Sequence, residues 1–111
     1  MDFRYQSEQF SQARYCLMLP HPRGEAEDIA AAFHECSLGL HRIAYETLDD
    51  NAHSWINKLK SLMDTSGTED PQSHGKWVMK AERLTDDDQL ELSEVVDNLA
   101  HWFEIRFWSV H

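Results

Sequence analysis

The chain has 111 residues, 41% of them apolar and 11% aromatic, with two cysteines and a formal net charge of −10. Enough apolar residues are present to bury one core without disulfides or a structural metal, and the aromatic content excludes a disordered chain, in which high charge goes with few aromatics. Twenty acidic residues against ten basic ones repel phosphate backbones and anionic lipid, so direct binding to nucleic acid or to a membrane surface is disfavoured.

Along the chain, Phe10, Ala13 and Leu17 recur at three to four residues, which favours a helix over 7–19 ended by Pro20 and Pro22. A short strand over 15–19 stays open. Residues 20–24 read as a turn. Glu25, Glu27 and Asp28 then put negative charge in the first turn of a second helix, where the helix dipole favours it. That helix is predicted over 25–48, with Ile29, Phe33, Cys36, Leu40 and Ile43 on its apolar stripe. Gly39 interrupts it at about 1 kcal/mol relative to alanine, which points to close approach of another helix there. Asp49 and Asp50 are N-cap candidates for a third helix that carries Trp55, Ile56, Leu59, Leu62 and Met63 and stops before Gly67.

Residues 65–75 collect Ser, Thr, Gly, Asp and Pro without apolar periodicity and read as the one long loop. Trp77, Val78, Ala81 and Leu84 suggest a short helix after it. Thr85 followed by Asp88 resembles a capping box with Asp in the usual Glu or Gln place, and it starts the last helix, over 85–108. This helix is apolar on two sides. Leu92, Val95, Val96, Leu99, Phe103 and Phe107 form a wide stripe, whereas Leu90, Ile105 and Trp108 fall on the far side among Glu94, Asp97 and His101. Arg106 lies in line with Leu92 and Leu99, placed either to pair with a carboxylate or to snorkel. Strand-length alternation is scarce. The expected fold is all-α, a single domain over 1–111 built as a bundle of four main helices plus one short helix.

Cys16 and Cys36 form no Cys-x-x-Cys pair and follow no secretory signal, which fits a reducing cytoplasm. Cys36 sits in an apolar stripe and reads as a small buried hydrophobe. The longest apolar runs fall far short of the ~20 residues of a membrane span.

Seven histidines make metal binding worth weighing. Glu27, His34, His41 and Tyr45 line one side of the second helix, and Glu94, Asp97 and His101 share a face of the last. If these strips faced each other, His34, His41, Glu94, Asp97 and His101 would form a carboxylate and histidine cluster suited to a divalent metal. The Glu-x-x-His spacing of di-metal bundles is missing, its nearest relative being Asp50-Asn51-Ala52-His53, and Leu38 stands where a zinc protease pattern begun by His34-Glu35 needs a second His. No cofactor is expected, the alternative being a divalent metal held by this cluster. Gly-rich phosphate loops and Gly-x-Ser-x-Gly elbows are absent from the sequence. Glu91-x-x-Glu94 and Glu94-x-x-Asp97, with Glu25-x-x-Asp28 and Glu46-x-x-Asp49, resemble the acidic pairs by which all-α nucleotide pyrophosphohydrolases hold magnesium. That resemblance covers these short pairs alone and implies a metal-dependent helical enzyme.

The segments Leu19-Pro-His-Pro-Arg-Gly-Glu25, Ala32-Phe-His-Glu-Cys-Ser-Leu38 and Ala100-His-Trp-Phe-Glu-Ile-Arg-Phe-Trp108 resemble uncharacterised small proteins carried in bacterial mobile (integron) gene cassettes. The resemblance implies a bacterial accessory protein and carries over no activity and no functional residue. The leading expectation is therefore a non-enzymatic cytoplasmic interaction protein, a homodimer or a binder of another protein. Trp102, Phe103, Ile105, Phe107 and Trp108 are its expected interface anchors. The alternative is the metal-dependent enzyme.

Overall fold

The computed structural model describes residues 3–18, 25–41, 43, 45–65 and 73–109, with side chains described in the last stretch from 77 to 106. The described residues form helices and no strand. The elements are α1 (Arg4–Cys16), α2 (Glu25–Leu40), a 3₁₀ turn (Tyr45–Thr47), α3 (Asp50–Met63), α4 (Ser73–Arg83) and α5 (Asp86–Ser109). The all-α bundle expected from the periodicity is what forms.

Helix α1 starts at Arg4, ahead of its predicted position. Phe3 is buried against Trp102 and Phe103, and the Ser7 N–H donates to the Phe3 carbonyl at 2.8 Å. The Leu17 N–H donates to the carbonyls of Ala13 (3.2 Å) and Arg14 (3.1 Å), so residues 15–17 close a helix and the strand alternative is set aside. The predicted turn over 20–24 lies outside the described residues.

Helix α2 was expected to continue to residue 48, but it ends at Leu40. Bonds of the tighter i to i−3 type follow, from the His41 N–H to Leu38 (3.2 Å) and from the Ile43 N–H to Leu40 (3.4 Å). They turn the chain so that Ile43 and Leu48 face the core. Helix α3 begins as predicted. Asp49 is extended (φ −83°, ψ 175°), and its side chain accepts from the Ala52 N–H at 2.9 Å, satisfying one of the orphan donors of a helix start. Helix α4 begins at Ser73, inside the stretch read as loop. At α5 the capping box is reciprocal: the Asp88 N–H donates to Thr85 Oγ1 (3.0 Å) and the Thr85 N–H to Asp88 Oδ2 (3.1 Å).

The packing order decides everything about the candidate sites. Helix α1 lies against both α2 and α5, α4 covers another side of α2, and α3 packs on α5. Phe10, fully buried, is the junction. Its ring stacks on Phe103 at 5.3 Å with the planes 2° apart, and α2 reaches its other side at Gly39, where an added Cβ would lie 2.9 Å from Phe10 Cε2. The close approach expected at Gly39 is thus made by α1.

Candidate functional site

Interposing α1 between α2 and α5 separates the two polar strips. On α2, the strip faces α4: the rings of His34 and Trp77 meet edge to face at 6.2 Å. On α5, Glu94, Asp97 and His101 are exposed, and Asp97 is engaged by Arg14 of α1 at 2.9 Å. His34 and His41 therefore do not converge with Glu94, Asp97 and His101. Among the described residues no group of three or more His, Cys, Asp or Glu is placed to hold a metal ion. The physical reason is topological, because periodicity assigns a residue to a face of its own helix but not that face to a neighbour.

What the α2 strip lines instead is a pair of open pockets, together a groove, that share Trp77 as a wall. One, of about 260 Å³, is bounded by Glu27, Ala30, Ala31, His34, Trp77 and Val78. The other, of about 430 Å³, is bounded by Ser37, Leu40, His41, Tyr45, Lys60, Met63 and Trp77. Lys60 Nζ sits 4.7 Å above the Tyr45 ring, which itself stacks near His53 at 6.1 Å. Glu27, His34, His41 and Tyr45 were grouped from sequence, and the structure sets all four along this groove. Trp77 and Lys60 were not foreseen as its members. Trp77 carried the signal of a core residue on a short helix, and Lys60 sits on the polar face of α3.

Among the described residues of the groove, the hydroxyl of Ser37 is turned to the backbone, and the nearby thiol of Cys36 lies in the core. The Ser37 hydroxyl donates to the His34 carbonyl at 2.9 Å, away from the imidazoles. Cys36 is fully buried, and burial foremost, with Cys16 and Glu35 adding to it, pushes its thiol far above its ordinary range, leaving an inert thiol.

On the far side of α5 the expected Leu90 and Ile105 stand exposed, whereas two of the expected interface anchors turn into the core. Phe103 is fully buried between Phe10, Phe3 and Trp102. Trp102 is buried as well, and its Nε1–H donates to Asp49 Oδ2 at 3.0 Å while Arg106 lies 4.6 Å over its ring. These two expected anchors serve the core of their own chain. Ile105 faces out, 47% exposed, and Leu90 is 61% exposed. The side chains of Phe107 and Trp108 lie outside those described. Arg106 resolves both alternatives at once, since it stacks on Trp102 and reaches Asp49 Oδ2 at 3.4 Å across a half-exposed ion pair.

Asp49 is thereby a node between α3 and α5. Its carboxyl is held below the usual value first by the Ala52 N–H and then by the Trp102 indole N–H; desolvation opposes them, and the Arg106 charge and the Asn51 N–H add smaller contributions in the same lowering direction. Through Trp102 and Arg106 the node fixes α3 and α5 together.

Comparison with protein-family models, with curated proteins and with solved structures finds no match.

Proposed function

We propose that the protein is a non-enzymatic interaction protein that works as a homo-oligomer, in a reducing compartment such as the cytoplasm where thiols are kept reduced. The observation that carries this reading is the outer face of α5. Its inner stripe, Leu92, Val96, Leu99 and Phe103, is fully buried within the chain, and yet Leu90 and Ile105 stand exposed on the opposite side of the same helix. Single exposed apolar residues are ordinary, but two on one face of the longest helix, spaced about four turns apart, match the pattern of a helix that packs on two sides.

Light scattering across about 1 to 100 µM tests the reading, a range suited to a small interface. The wild-type mass should rise from 13.0 kDa toward twice that value, whereas Leu90→Glu should stay monomeric with unchanged helicity. A wild type that is monomeric throughout would sink it.

A further inference from the structure

We propose that the occupant of the α5 outer face is α5 of a second copy, packed antiparallel with Leu90 against the partner's Ile105; this rests on the self-association reading above. At about 100° per residue, Leu90, Glu94, Asp97, Asn98, His101 and Ile105 fall within an arc of about 100°, and all six are exposed. The arc is centred opposite Leu92, Val96, Leu99 and Phe103, so packing there displaces nothing from the core.

The order of residues along this face selects the direction. Setting Leu90 against the partner's Ile105 also sets Glu94 against the partner's His101 and Asp97 against the partner's Asn98, with the twofold axis passing between positions 97 and 98. Between positions 90 and 105 the two apolar residues then meet each other, each Glu94 meets an imidazole able to donate to it, and the Asn98 amide can donate to the Asp97 carboxylate. A parallel pairing in register would instead set Glu94 on Glu94 and Asp97 on Asp97, like charges at closest approach. Asp97 is the acidic side chain nearest the axis, and it is also the one that Arg14 pairs with at 2.9 Å. Arg14 thus neutralises the carboxylate whose repulsion across the axis would be greatest. Contact from Leu90 to Ile105 runs about 22 Å, which places the interface at the small end of the known range and makes the association concentration dependent.

Disulfide trapping tests the register on a Cys16→Ser background, with Cys36 left buried. The double variant Leu90→Cys, Ile105→Cys should form a covalent dimer under mild oxidation, since facing positions of packed helices come within disulfide reach. Either single variant should remain monomeric on a non-reducing gel. Within one chain the two thiols are about 22 Å apart on the same helix, so an internal bridge cannot mimic the result. As a second measurement, His101→Glu should weaken dimerisation roughly tenfold, and adding Glu94→His should restore it. Trapping of a single variant, or a wild-type dimer whose double variant fails to trap and whose charge swap fails to rescue, would overturn the antiparallel pairing while leaving self-association intact. A monomeric wild type at about 100 µM would instead remove the reading on which it rests.

Discussion

Replacing Asp49 by alanine should destabilise the protein by about 2 kcal/mol, and the structure says where each part arises. Loss of the side-chain acceptor for the Ala52 N–H removes an N-cap, worth about 1 kcal/mol. Loss of the acceptor for the Trp102 indole N–H removes a hydrogen bond to a charged group. That bond contributes about 1 kcal/mol, less than is usual for a charged acceptor because the half-exposed carboxylate leaves water able to substitute. The Arg106 pair is half exposed on both sides and adds at most a few tenths, roughly 0.3 kcal/mol. Asp49→Asn keeps an acceptor for both N–H groups and loses only the charge, so it should cost about 0.5 kcal/mol. Urea denaturation followed by circular dichroism gives both values from the shift in midpoint at constant slope. The pH dependence has a definite sign. A carboxyl with a lowered folded value contributes stability that is fully present above the ordinary carboxylate value of 3.8 and is lost as pH falls through the lowered one. The difference between wild type and Asp49→Asn should therefore be steady near neutrality and shrink in acid. An alanine variant within about 0.5 kcal/mol of wild type would refute the summed capping and indole contributions, and a difference that widens on acidification would refute the electrostatic part.

Gly39→Ala should destabilise by about 1–2 kcal/mol in urea melts, because the gain in helix propensity is smaller than the strain of a Cβ 2.9 Å from a Phe10 ring that Phe103 holds in place; a stabilised variant would show that the ring can move. Thr85→Ala should lower stability by about 1 kcal/mol through loss of the α5 capping box, with native-state hydrogen exchange accelerated first at residues 86–89. Titration with an aromatic disulfide reagent should modify Cys16 in the native protein and Cys36 only after denaturant is added, and rapid native reaction of both thiols would contradict the burial of Cys36. Chelation should leave the melting temperature within about 2 °C of its starting value, whereas stabilisation by a specific divalent ion would point back to a metal site.

The features legible in the sequence are those set by residues close together in it. The Thr85 and Asp88 cap, the Asp49 cap and the buried stripe of α5 each follow from spacings within a helix or its first turn. Gly39 was legible as a close approach but not as to what approaches, since that depends on Phe10, far away in the chain. The end of α2 at Leu40 was not readable, because the residues beyond it keep a helical apolar pattern and yield only to the demand that Ile43 and Leu48 turn inward ahead of α3. The same limit governed the sites. His34, His41, Glu94, Asp97 and His101 were assigned to faces from periodicity, whereas the choice of α4 for one strip and solvent for the other is a matter of packing order. Trp102 and Phe103 looked like surplus apolar area only because Phe3 and Phe10, which cover them, lie at the opposite end of the sequence.

Phe10 joins α1, α2 and α5 through a single ring, flanked by Phe103 on one side and by the bare backbone of Gly39 on the other. Three positions distant in sequence therefore share one volume, and none is free to vary alone. A smaller residue at 10 would leave room for a side chain at 39, and a chain with alanine at 39 would need leucine or a smaller residue at 10 to keep the helices at the same separation. In descendants of this sequence, changes at 10, 39 and 103 should travel together. A combinatorial library randomised at these three sites and selected for folding should return coupled sets, with glycine at 39 confined to the members that keep an aromatic ring at 10.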